Sequence, residues 1–232
     1  MRFKALATDY DGTIAHHGLV DPATVDALCR LKESGRKLLL VTGREIPDLS
    51  KVFSELQMFH RIVAENGALI YDPETGEQRM LADPPPPIFA ERLRQRGVKR
   101  LSVGRVIVAT QEMALGLVKA AIEECELPLE VILNKGDVMI LPCGTNKATG
   151  LRAVLPELGL DISEVVGVGD AENDAAFLEI CGCSVAVANA LPWLKERVDW
   201  VTTGDHGQGI RQLVRELIAN DLAGVALQAA AR

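Results

Sequence analysis

The stretch "LATDYDGTIAHHG", residues 6–18, decides how the rest of the chain is read. A short apolar run closes on Asp9, a second acid follows at Asp11, and Gly12-Thr13 supplies a turn. A brief apolar run bounded by a turn signal marks a buried strand. Two carboxylates therefore stand two residues apart where that strand ends.

Outward from this point, strands alternate with helical stretches. Asp21-Pro22 offers an N-cap and a first-turn proline, and Val25, Leu28 and Leu31 recur at helical spacing. "KLLLVTGR" (37–44) reads as a strand buried on both faces. A helix over 47–56 and a strand through "RIVAENGA" (61–68) follow. Beyond the middle, 146–159 reads as a helix, "EVVGVGD" (164–170) as a strand and 173–180 as a helix. "SVAVANA" (184–190) is a further strand, and a last helix covers 208–219. This order predicts the α/β class, a Rossmann-like, doubly wound parallel sheet.

Ligands of such sheets bind at the carboxyl ends of the strands. Asp9, Thr42 and Asp170 each fall at a strand end, and Asp174 opens the helix after Asp170. All four are expected at one edge.

The prolines of "DPPPP" (83–87) cannot continue a helix or a central strand. After them come a helix near 88–96, a strand at 104–109, a helix at 112–125 and "LEVILNKGDVMILP" (129–142), two strands joined by a tight turn. Residues 83–143 read as a small α+β cap, and 1–82 with 144–232 as a discontinuous core. The tail "LAGVALQAAAR" (222–232) reads as a frayed end or a linker to a further C-terminal domain.

Composition narrows the partners. With 48% hydrophobic residues the 232-residue chain can build a core, and aromatics at 4% leave that core to aliphatic side chains. A net charge of −7 argues against nucleic acid and anionic membrane as partners. No apolar run suits a signal peptide or a membrane span. The five scattered cysteines fit a reduced, cytoplasmic setting, and Cys181-x-Cys183 reads as a pair of buried thiols. The basic segment 91–105, with Arg92, Arg94, Arg96, Lys99, Arg100 and Arg105, reads as a solvated cap surface or as a wall facing an anionic substrate. His16 and His17 read as solvated loop residues.

Asp9, Asp11, Asp170 and Asp174 together concentrate negative charge. Two carboxylates 4 Å apart repel by about 4 kcal/mol at an effective dielectric of 20. Such a site needs a cation, and oxygen-only ligands suit Mg²⁺. Lys147 can neutralise a carboxylate or a phosphoryl oxygen. Thr42 and the N–H groups of Gly12 and Gly43 can donate to the same phosphoryl group. These parts make a phosphoryl-transfer set. Arg44, Asn66, Lys135 and Asn173 are the candidate substrate contacts, Asn66 also reading as a turn residue and Asn173 as a site-shaping one.

The set "DYDGT", "TGR", the lysine of "PCGTNK" and "GDAEND" resembles the haloacid dehalogenase superfamily of phosphatases. "ENGA" at 65–68 and the cap between Thr42 and Lys147 make it most similar to the Cof-type branch. The resemblance implies Asp9 as nucleophile forming an aspartyl-phosphate and Asp11 as acid–base with its carbonyl on Mg²⁺. It further implies Thr42 and Lys147 as phosphoryl anchors and Asp170 and Asp174 as metal ligands. The substrate expected is a small phosphorylated metabolite, a sugar phosphate or a phosphoglycolate-like compound. A phosphotransferase or phosphomutase using the same intermediate, or a receiver-like signalling module, are the alternatives.

Overall fold

The computed structural model describes residues 1–227. Its strands are β1 (Ala5–Thr8), β2 (Lys37–Val41), β3 (Arg61–Ala64), β4 (Leu69–Tyr71), β5 (Gln78–Met80), β6 (Ser102–Val103), β7 (Val108–Gln111), β8 (Leu129–Asn134), β9 (Asp137–Pro142), β10 (Val165–Gly169), β11 (Cys183–Ala186) and β12 (Trp200–Val201). Its α-helices are α1 (Pro22–Glu33), α2 (Ile46–Val52), α3 (Pro87–Gln95), α4 (Leu115–Glu124), α5 (Lys147–Val154), α6 (Ala175–Ile180), α7 (Pro192–Lys195) and α8 (His206–Asn220). Among the described residues no helix is long and apolar enough to cross a membrane.

An eight-stranded sheet in the order β12-β11-β10-β1-β2-β3-β4-β5 forms the base. It is parallel from β12 to β3. β1 is buried at every position, as a strand covered on both faces must be. On β2 the alternation is visible: Leu38 and Leu40 join Leu28, Leu31, Leu49, Leu213 and Leu217 from α1, α2 and α8. Leu39 and Val41 join Leu151, Phe177 and Leu194 from α5, α6 and α7 on the other face. Helices on both faces make the sheet doubly wound.

Several boundaries differ from those read in the sequence. β4 and β5 run antiparallel at the β3 edge, a pair too short to carry a pattern. The strand through 61–68 stops at Ala64, because Glu65 and Asn66 take left-handed backbone (φ 49 and 55) and turn the chain. The helix at 47–56 ends at Val52. The strand expected at 104–109 begins only at Val108, residues 104–107 being a loop that passes over Glu65. Of the tail, Leu222 is buried and Val225 and Leu227 pack on the core; residues 228–232 lie outside the described part.

A second, four-stranded sheet in the order β6-β7-β9-β8 is antiparallel. On β9, Val138 and Ile140 face Phe89, Leu93, Val118 and Ala121 of α3 and α4. Met139 and Leu141 point the other way, to Ala68, Val106 and Ile107. The β8–β9 turn is Lys135-Gly136, both with positive φ (45 and 90), the geometry of a two-residue hairpin loop.

Candidate active site

The carboxyl edge of the parallel strands carries the acids. Asp9 follows β1 directly, its N–H donating to Val168 O (3.0 Å) on β10. Asp170 follows β10, and Asp174 ends the short turn before α6. One oxygen from each of Asp9, Asp170 and Asp174 lies within 4.8 Å of the others, and all three residues are buried. Three converging carboxylate oxygens form a hard donor set that can hold a divalent metal ion.

Lys147 stands among them with no exposed surface. It is the first residue of α5, whose N-cap Asn146 accepts from Ala148 N (2.9 Å) and Thr149 N (3.1 Å). That cap starts the helix where Lys147 faces the sheet edge. The helix approaches closely because Gly67 and Gly150 meet: a Cβ on Gly67 would lie 1.9 Å from Asn146 O. Lys147 Nζ donates to Asp9 Oδ1 (2.5 Å) and Asp174 Oδ1 (2.6 Å). The second Asp174 oxygen accepts from Asp170 N (2.8 Å) and Ala171 N (3.0 Å).

Burial, then the charge of Asp174, pushes the Asp9 carboxyl well above its ordinary range, while Lys147 pulls against the rise. Asp170 is raised for the same two reasons. Burial disfavours the Lys147 ammonium, but Asp174 and Asp9 outweigh that and hold its pKa above its ordinary value. One buried ammonium among three acids leaves negative charge uncompensated, which suits a bound cation.

The remaining candidates divide. Asp11 does not join the trio; its carboxylate is held by Arg44 through Nε (2.6 Å) and Nη2 (2.7 Å). Lys135 reaches Asp170 from the β8–β9 turn, and its N–H donates to Glu172 (3.1 Å). Thr42 is buried with Oγ1 accepting from Arg44 N (3.1 Å). Asn173 Nδ2 donates to Asn66 Oδ1 (3.0 Å), leaving the buried Asn66 Nδ2 without a partner among the described residues. The expected Gly12 N–H donor is already taken by Ala15 O (3.0 Å). Gly12 matters for space instead: with φ +84, its Cβ would fall 2.2 Å from Asp170 Oδ2.

A cleft of about 960 Å³ opens over this edge, lined from the core by Asp9, Asp11, Gly43, Arg44 and Asn173 and from the second sheet by Lys135, Asp137 and Met139. Of the basic side chains in 91–105, Arg100 lines it, with Leu101 and Ser102 beside it; Arg92 and Arg96 pair with Glu124.

Three residues escaped the sequence reading. Glu65, buried after β3, accepts from Arg105 N (3.0 Å), Val106 N (2.7 Å) and Ile107 N (2.8 Å). Asn189 Nδ2 donates to Gly12 O (2.8 Å) and approaches Asp170 Oδ2 (3.4 Å). His206 lies in the cleft wall beside His16 and His17, exposed loop residues that also line the cleft. "ENGA" flagged Glu65 only as part of a turn, and nothing local flagged the others.

An acid cluster bridged by a buried lysine, on the carboxyl edge of a doubly wound sheet, is an arrangement that can hold a divalent cation beside a fixed positive charge. The chain belongs to the haloacid dehalogenase-like hydrolase family, whose sequence model matches residues 6–85 and 106–214. It is 31% identical over 220 residues to a phosphoglycolate phosphatase of Haloarcula marismortui, covering 90% of this chain and 95% of that one. A phosphoglycolate phosphatase of Methanothermobacter thermautotrophicus is 29% identical over 225 residues, covering 93% and 99%. Among solved structures, Thermoplasma acidophilum 0175 superposes with a TM-score of 0.79 at 18% identity, covering 92% and 97% of the two chains. A sugar phosphatase of haloacid dehalogenase subclass IIB gives 0.77 at 19%, covering 92% and 98%.

Proposed function

We propose that this protein is a Mg²⁺-dependent phosphatase that hydrolyses a small phosphorylated metabolite, a phosphoglycolate-like compound or sugar phosphate, through an aspartyl-phosphate on Asp9. The observation that carries the reading is Lys147 bridging Asp9 and Asp174 beside Asp170 at the floor of the cleft. The phosphoglycolate and sugar phosphatase relatives support the substrate class.

Asp9, Asp170 and Asp174 would hold a metal ion, which would supply charge neutralisation to the acids and the phosphoryl oxygens. Lys147 favours the ionised form of Asp9 against the effect of burial and fixes its direction. An Asp9 oxygen attacks phosphorus while the bond to the organic oxygen breaks, its electron pair leaving on that oxygen. Asp11 protonates the leaving oxygen, then takes a proton from water as that water attacks the aspartyl-phosphate. The P–O bond to Asp9 breaks, releasing phosphate and restoring the carboxylate. Thr42 and Gly43 steady the phosphoryl oxygens, and Arg44 orients Asp11 through its paired hydrogen bonds.

Residues 83–143 act as the cap, bringing Lys135 over the site and shielding the intermediate from stray water. The acidic surface makes nucleic acid a poor partner, and a reducing cytoplasm suits the thiols. Phosphate release from 2-phosphoglycolate and a panel of sugar phosphates, with Mg²⁺ and with chelator, tests the reading. Activity should require Mg²⁺ and vanish in Asp9→Asn; metal-independent activity, or activity surviving the substitution, would refute it.

A further inference from the structure

Three of the chain's four histidines meet at the mouth of the cleft. The rings of His16 and His17 lie 4.0 Å apart between centroids, and those of His16 and His206 4.4 Å apart. His16 and His17 come from the loop after the Asp9–Thr13 stretch, His206 from the first turn of α8. His17 (φ 51) and His206 (φ 45) both hold left-handed backbone, a conformation histidine adopts more readily than most side chains. Among the described residues, none of the three side chains makes a hydrogen bond to the protein.

The cluster is tied to the reacting centre. His206 N donates to Asn189 Oδ1 (2.8 Å), and Asn189 Nδ2 donates to Gly12 O (2.8 Å). A Cβ on Gly18 would lie 3.5 Å from Arg44 Nη2, so the histidine loop abuts the arginine that holds Asp11. In the proposed reaction Asp11 meets the leaving oxygen, which sends the organic part of the substrate along the cleft wall that these rings line.

Charge decides what they can receive. Of the cations in the cleft wall, Arg44 is occupied by Asp11 and Lys135 by Asp170. Glu45, Asp48 and Asp137 add negative charge, with Arg100 against them. Imidazoles are the groups here that can become cationic when an anion arrives. Among the described residues, the acid trio is the group whose ligand atoms converge for a metal ion; the histidine rings instead contact one another at tilted angles of 34° and 59°.

We propose that His16, His17 and His206 form an anion subsite that binds a second acidic group of the substrate, a carboxylate or a second phosphate, at the leaving-group end of the cleft. This rests on the phosphatase reading and narrows it to substrates with two anionic ends. The charged groups around the trio are Lys135 from the β8–β9 turn, Asp205 before α8, and Arg44 paired with Asp11. Burial, then His16, holds His206 below its ordinary 6.5, with Lys135 and His17 adding to this and Asp205 opposing it. Anion binding therefore draws in a proton and strengthens as pH falls.

The test compares kcat/KM for 2-phosphoglycolate, ethylene glycol bisphosphate and ethyl phosphate at about pH 6 and about pH 8. Wild type should prefer one of the two doubly acidic compounds over ethyl phosphate, more strongly at the lower pH; which one separates carboxylate from phosphate. In the double variant His16→Gln/His206→Gln that preference should fall about tenfold, the scale of one charge-assisted hydrogen bond. An unchanged preference, or an equal loss on all three compounds, overturns the proposal. Should wild type hydrolyse none of them, the phosphatase reading fails separately. Calorimetric titration of 2-phosphoglycolate into Asp9→Asn protein then decides the subsite: proton uptake abolished by the histidine substitutions supports it, and binding without uptake, or no binding, overturns it.

Discussion

Lys147 donates to Asp9 at 2.5 Å although 138 residues separate them, and the lysine has no exposed surface. Removing one partner of a buried ion pair leaves the others unpaired in a low-dielectric site, at a cost of about 3–5 kcal/mol. Lys147→Met should lower stability by that order and turnover by about 10²–10³-fold, the loss typical of one preorganised electrostatic group. Denaturant unfolding and phosphate release check both. Near-native turnover would mean that the bridge is not part of the reaction.

Gly12 and Asp170 set a steric limit. Gly12→Ala combines φ +84 with a Cβ 2.2 Å from Asp170 Oδ2, so Asp170 must move and the acid trio with it. The variant should remain folded, lose about 1–2 kcal/mol, and bind Mg²⁺ at least about tenfold more weakly. The rise in thermal midpoint with added Mg²⁺ reports this; an unchanged rise would show that Asp170 does not hold the metal.

Glu65 fastens the loop before β7 to the turn after β3. Its Oε2 alone accepts from both Val106 N and Ile107 N. Glu65→Gln keeps the shape but halves the acceptors, so a backbone N–H is left buried or faces another donor, costing about 1–3 kcal/mol. Amide hydrogen exchange at residues 105–107 should accelerate far more than exchange in β1 or β10. Uniform acceleration would point to general destabilisation instead.

Asp221 provides the pH test. Partial burial raises its pKa, but hydrogen bonds from Arg2 N, Arg36 and Phe3 N outweigh this and hold it below its ordinary 3.8. Its stabilisation is therefore complete above that value and is lost as pH falls through the lower folded value. Arg36, only 6% exposed, depends on this partner at 2.9 Å. Asn also tolerates the left-handed backbone at 221 (φ 56). Asp221→Asn should cost about 2 kcal/mol at neutral pH, with the difference from wild type shrinking in acid. A pH-independent difference would remove charge as the cause.

What the sequence made legible was local or periodic. "LATDYD" and "KLLLVTG" show continuous apolar runs that end on polar residues, and the strand-end rule then brings Asp9, Asp170 and Asp174 to one edge. Lys147 could be named because it is the lysine of "PCGTNK", at the start of the helix after the cap. The antiparallel β4–β5 pair was hidden because three-residue strands carry no period. Gly12 was misread because the N–H expected to meet phosphate already closes a turn with Ala15. Glu65 reaches Val106 across 41 residues, Asn189 reaches Gly12 across 177 and His206 meets His16 across 190; their roles exist only once the chain has folded.

The central claim is the covalent intermediate on Asp9. Protein saturated with 2-phosphoglycolate and Mg²⁺, quenched in acid within one turnover and digested, should yield the peptide containing Asp9 heavier by one phosphoryl group. The modification should be absent with chelator and in Asp9→Asn. Turnover with no modified peptide, or with the phosphoryl group on another residue, would contradict the account.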